Sequence, residues 1–264
     1  MRLRVWIAVL VLMLMAAGCQ SGPQTREPIG TVTRPDLVGL IDWERSPLAV
    51  VFRAEVTAAD VDAFERRNDV ADCTIYGDNR VVYTPPGGLS GPVVFQSVSD
   101  EAIRVFVEEL TLIYQFYNRS SGLDALAPEN RPPFIETLLL VVNGQAHRAD
   151  ALGALPDGYY RDVTERCRAV ADSPAELIPA AGYVSVRPIT YNPERPSVEW
   201  QHSDLLNLAA LNPDERVWIS GEGAQELWRL LRTYGSDVQI TQGETTLQAA
   251  VEAPGVTRFS PPRP

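Results

Sequence analysis

A chain of 264 residues, 45% of them hydrophobic, has enough apolar material for one large core or two small ones. Its formal charge of −11 favours solubility and disfavours nucleic acid or anionic lipid as partners. All 23 basic residues are arginine, as a GC-rich genome would give, so Schiff-base and lysine-nucleophile chemistry is excluded.

The first element is a leader. Arg2 and Arg4 precede an apolar run over 5–17, then Gly18 and Cys19. This is the charged n-region, apolar h-region and small-residue cleavage zone of a secretory signal peptide. The run is shorter than the ~20 residues of a permanent membrane helix. Ala16-Ala17-Gly18-Cys19 resembles the bacterial lipobox, with Ala16 where that motif usually has leucine. The resemblance implies removal of residues 1–18, with Cys19 acylated by palmitate-like chains as the new N-terminus. The protein is then held on the extracytoplasmic side of a bacterial cell membrane. Each buried CH₂ contributes ~0.8 kcal/mol, so two or three chains anchor stably. The competing reading is a secreted form cleaved nearby, with Cys19 as an ordinary thiol. Residues 19–45 are polar and rich in Pro, Gly and Thr, and read as a flexible tether.

The globular part is expected over 46–254. Strands are predicted at 48–56, at 73–83 as a hairpin around Gly77-Asp78-Asn79, and at 137–149 as a hairpin turning on Asn143-Gly144. Others follow at 182–190, at 216–220 and over 237–252, the last pivoting on Gln242-Gly243. Apolar spacing predicts three helices. The first runs over 100–117, with Ile103, Phe106, Leu110, Ile113 and Tyr117 on its core stripe. Ser99 is its N-cap, and Val98 with Ile103 forms a hydrophobic staple. The second covers 159–171. The third covers 221–234 and stops at Gly235.

Tight hairpins join antiparallel neighbours, so the expected fold is α+β: a largely antiparallel sheet with about three helices packed on it. The recurring hairpin-then-helix rhythm suggests two related halves, 46–130 and 131–254. Residues 255–264, rich in proline, are expected to fray as a disordered tail. Cys73 and Cys167 both lie on inward-facing patterns. Either a disulfide across the core or two buried thiols satisfies them.

No G-x-S-x-G, H-E-x-x-H, P-loop or dinucleotide fingerprint occurs, so no catalytic, cofactor or metal residue is assigned. His147 reads as a half-exposed strand residue. His202-Ser203-Asp204 sit side by side, but neighbours in sequence point apart and do not form a triad. Ser203 or Asp204 is expected to cap a short helical stretch over 205–211. Trp218 and Phe116 could face outward as sugar or protein contacts, but single exposed apolar residues are normal and a place in the core is the better reading. The strings CTIYGDNRVVY, SDEAIRVFVEEL, TLLLVVNGQAHRADAL and ERVWISGEGAQELWRLL resemble a group of secreted proteins and lipoproteins of GC-rich bacteria, in which a strand, LYGDGR, a strand and a helix follow one another. The resemblance implies the fold and the location and carries no catalytic residue. The expected function is a lipid-anchored extracytoplasmic binding or interaction domain. Its partners would be the membrane, through the anchor, and an envelope or extracellular ligand. The alternatives are an envelope-associated hydrolase with carboxylates brought together by the fold, and a structural envelope component.

Overall fold

The computed structural model describes residues 40–264 apart from 59–61, 87–90, 128–129, 131 and 154. The expected leader, Cys19 and the part of the expected tether up to residue 39 lie outside the described residues. Among those described, no helix is long and apolar enough to cross a membrane.

The architecture is α+β, as the hairpins imply. The first sheet contains β1 (Val50–Ala58), β2 (Cys73–Tyr76), β3 (Arg80–Tyr83), β4 (Val94–Ser97), β5 (Phe134–Val142), β6 (Gln145–Asp150) and β7 (Ala175–Glu176). Its order is β6-β5-β1-β2-β3-β4-β7, with every pairing antiparallel. Phe52 stands between Leu140 and Ile75, and Ala54 between Leu138 and Cys73. This register gathers their side chains on one face, where α1 (Asp100–Leu112) and α2 (Tyr159–Arg168) pack through Ile103, Phe106, Leu110, Tyr160, Val163 and Cys167. The rings of Phe52 and Phe106 meet edge to face at 4.9 Å.

The second sheet holds β8 (Ala181–Pro188), β9 (Ser197–Glu199), β10 (Val217–Ser220), β11 (Gln239–Gln242) and β12 (Thr245–Glu252), in the order β10-β8-β12-β11-β9. Only the β9–β11 pair is parallel. The amphipathic helix α3 (Glu222–Tyr234) brings Leu227, Trp228 and Leu231 into a core with Val184, Val186, Leu247, Ala249 and Val251. Tyr76 and Val82 of the first sheet belong to the same cluster, so the first sheet is covered on both faces near its centre. β12 pairs with β11 only over its first three residues, Thr245 to Leu247. Beyond them the Asn68 side chain continues the ladder, donating to Ala249 O at 3.2 Å and accepting from Val251 N at 2.9 Å.

The turns follow their residues. Asn79, Asn143, Gly144 and Gly243 all have positive φ, which asparagine and glycine tolerate. Gly77 is required by a close approach, since a Cβ there would lie 1.9 Å from Glu44 O. Ser99 caps α1 as expected, accepting from Ala102 N at 3.1 Å, and α3 ends at Gly235 with φ 94°.

Four expectations are corrected. The first helix stops at Leu112, not near 117, because Gln115 takes a left-handed conformation (φ 51°). The reversal breaks the 3.6-residue period, so Phe116 is fully buried while Tyr117 is 53% exposed; Ile113, the residue that caps the helix before the reversal, is 71% exposed. The stretch after His202 is a turn followed by a short 3₁₀ segment, Leu208–Ala210, preceded by Asn207 rather than capped by Ser203 or Asp204. A boundary at residue 130 is not what the sheets follow: β5 and β6 pair into the first sheet beside β1, and that sheet runs on to Glu176. Finally, order extends further at both ends than expected. Trp43 is buried and donates its indole N–H to Gly77 O at 3.3 Å, so the folded part begins before residue 46. Val256 and Thr257 are buried, Thr257 bridges Val70, and Arg258 pairs with Glu55 at 2.9 Å.

Candidate functional site

The residues singled out in the sequence are mostly structural. Cys73 on β2 and Cys167 on α2 are joined by a disulfide, with Cα atoms 6.3 Å apart and both side chains inaccessible. His147 is half-buried on β6, bonded through Nε2 to Arg119 O at 2.9 Å, with the rings of Phe116 and Tyr117 each 5.1 Å away. Trp218 lies directly opposite Tyr183 on β8, ring to ring at 5.0 Å. His202, Ser203 and Asp204 are exposed in a turn; the His202 carbonyl accepts from Leu205 and Leu206 N–H, and no hydrogen bond links the three side chains.

Two carboxylates, one buried and one part-buried, are also committed. Asp150 is inaccessible and accepts from the Ser121 hydroxyl and from the N–H groups of Gly122, Leu123, Leu152 and Gly153, all within 3.1 Å. Burial alone would raise its pKa, but these bonds to the ionised form outweigh it and hold the carboxyl below the usual range. Asp72 accepts the Tyr160 hydroxyl at 2.5 Å. Burial first, then the Asp72 charge, push the Tyr160 phenol far up, so it stays a donor. Among the described residues no group of three or more His, Cys, Asp or Glu is placed to hold a metal ion.

What remains open is the surface around α3. The face of this helix carrying Leu227, Trp228 and Leu231 is buried, which leaves two flanks. Each flank borders a depression whose other wall is an end strand of a sheet. On one side, Glu226, Leu230, Thr233 and Tyr234 face Val198 and Glu199 of β9 and the Trp200-Gln201-His202 segment across about 370 Å³. The floor is apolar, from Val198, Trp200 and Leu230. Trp200 is fixed by its indole N–H, which donates to Leu206 O at 2.7 Å, and the His202 ring leans edge-on against it at 5.3 Å. The rim is charged, but Glu226 is paired with Arg229 one turn on.

On the other side, Trp228, Arg232 and Thr233 face Gly91, Pro92 and Glu176 of β7 across about 380 Å³. Arg232 stacks over Trp228 at 4.7 Å and donates to Asn68 O. Burial pulls its pKa down to about 10, with Asp69 opposing, and it remains a cation at neutral pH. Arg229 and Thr233 line both depressions and form the ridge between them.

The sequence offers Trp218 and Phe116 only as aromatics that could face outward, with the core as the preferred place for both, and does not point to this site. A signal was present: positions 226, 230, 233 and 234 form a second helical stripe beside the core stripe of α3. Comparison with known protein families, characterised proteins and solved structures finds no match to this chain.

Proposed function

We propose that this chain is a lipid-anchored extracytoplasmic binding domain, related to the GC-rich bacterial lipoproteins it resembles, which meets its ligand on the outer surface of α3. The observation that carries the reading is the cleft between β9 and α3. It combines an apolar floor, a polar rim and a rigid helical wall, which is the usual composition of a recognition site. The location is supported by Cys19 directly after Ala16-Ala17-Gly18, and by a disulfide at Cys73–Cys167, a bond that persists in oxidising compartments. The acidic charge of −11 suits a domain that stands off an anionic membrane and faces a partner.

Two measurements test it. Mass spectrometry of the N-terminal peptide should show an acylated Cys19, and Cys19→Ala should move the protein from the membrane to the soluble fraction. A photo-crosslinking residue placed at Leu230 should give a discrete adduct in envelope preparations, while one at Glu101 on α1 should not. An unacylated protein in the culture fluid or cytosol overturns the anchoring. Absence of any adduct at position 230 overturns the binding role of the cleft.

A further inference from the structure

Strand β9 has an unused edge. It pairs with β11 in parallel, and alternate residues make the bonds: Gln239 N–H donates to Pro196 O and Trp200 N–H to Thr241 O, each at 2.8 Å. In a parallel ladder the residues between them, Ser197 and Glu199, direct their N–H and C=O groups to the opposite side. That side is the free edge of the sheet, because β9 is its end strand. Both residues are exposed, and none of these backbone groups has a partner among the described residues. Exposed edge groups of this kind template another strand.

The end strand β6 lacks this combination. Along β6 the segment after Arg119 covers the edge, with Asp150 N–H donating to Ser120 O and His147 bonded to Arg119 O. Beside β9 lies the cleft wall of α3, so a strand added there would lay alternate side chains over Trp200 and Leu230. Charge selects its composition. Glu226 is neutralised by Arg229, whereas Glu199 has no ion pair among the described residues.

We propose that the β9–α3 cleft takes an extended peptide segment of a partner protein, which adds a strand to β9 through Ser197 and Glu199, places apolar β-branched side chains in the cleft and sets an arginine or lysine against Glu199. The proposal deepens the binding reading above and rests on it.

The test uses the full acylated chain in nanodiscs and a panel of labelled hexapeptides. Valine stands at alternate positions of each and threonine elsewhere, with arginine substituted at each threonine position in turn. At least one should bind by fluorescence anisotropy, and binding should slow amide exchange at Ser197 and Glu199 by tenfold or more. Methylating the peptide amides that face β9 should abolish binding. Glu199→Pro removes one outward donor but no bond to β11, and should weaken binding about tenfold. Glu199→Gln keeps the donor and should weaken it only about two- to fivefold while reducing its salt dependence. Leu230→Trp, at a position that lines this cleft and not the other depression, enlarges the helix wall without touching the strand, and should block binding even if the proline variant is unstable.

The proposal fails if no peptide binds tighter than 1 mM, if the methylated peptide binds equally, or if the two amides keep their exchange rates. A dimer that forms without peptide and dissolves on Glu199→Pro would make the occupant a second copy, and would also overturn it. If the crosslink at position 230 still captures an adduct in any of these cases, the binding reading survives and only the strand-addition mode is lost.

Discussion

Removing the disulfide is the sharpest test of how this fold is held. Cys73 and Cys167 are separated by 94 residues, so their bond ties β2 to α2 and closes a loop that contains β3, β4, α1, β5 and β6. For a loop of that length the chain-entropy model gives about 4.7 kcal/mol of stabilisation. Native domains are stable by only about 5–15 kcal/mol, so this is a third or more of the total. At about 2–4 °C per kcal/mol for a domain of 150–250 residues, Cys73→Ala/Cys167→Ala should lower Tm by about 10–20 °C in calorimetry. The far-ultraviolet spectrum below the transition should be unchanged, because Phe52, Phe106, Tyr160 and Val163 still pack without the sulfurs. Both cysteines are inaccessible, so reductant alone should leave the native protein bridged and reductant with denaturant should release two thiols. A Tm fall under about 3 °C, or two titratable thiols in the unreduced denatured chain, would refute the reasoning.

Three further outcomes follow from named contacts. Asp150→Asn turns one acceptor into a donor facing backbone N–H groups, and should cost about 2–4 kcal/mol in a denaturant titration. The folded carboxyl titrates below its unfolded value of about 3.9, so its contribution is complete above pH ~4 and is lost as pH falls through the folded value. The gap between wild type and variant should therefore close in acid. Phe116→Ala, at a fully buried site, should cost about 3–5 kcal/mol. Ile113→Ala, 71% exposed, should stay within about 0.5 kcal/mol, the reverse of what helical spacing alone predicts. Arg258→Ala leaves the part-buried Glu55 without its cation, should cost about 3–5 kcal/mol, and should expose the C-terminal segment to limited proteolysis.

Most of the fold was legible because its signals are local. Asn143-Gly144 between apolar runs is a hairpin whatever surrounds it, and both residues take the positive φ that turn needs. Ser99 and Gly235 mark helix ends through contacts made within a few residues. Errors arose where a distant contact decides. Gln115 gains nothing locally from a left-handed backbone. The turn it makes buries Phe116 in the core beneath α1 and sets its ring edge-on to His147, which no periodicity encodes. Sheet membership was illegible for the same reason: β5 belongs beside β1 through a seven-residue register with a strand far back in the chain. Arg258 reads as part of a proline-rich tail until Glu55 and Asp69 are placed next to it.

The site was illegible for a different reason. Each residue of the cleft has an ordinary role on its own: Leu230 extends the flank of an amphipathic helix, Glu226 pairs with Arg229 one turn away, and Trp200 follows a three-residue strand. Their joint meaning depends on β9 being the last strand of its sheet, and that is settled by the parallel pairing of β9 with β11, strands about forty residues apart. Had a further strand followed on that side, Ser197 and Glu199 would be satisfied and the cleft would be core. A binding surface of this kind arises from where a sheet stops. Stopping is a property of the assembled topology, whereas catalytic sets announce themselves through the chemistry of particular side chains. It follows that the strongest handle on function here is the backbone of Ser197 and Glu199, and that side-chain truncation across the cleft should understate their importance, because alanine leaves both N–H groups in place.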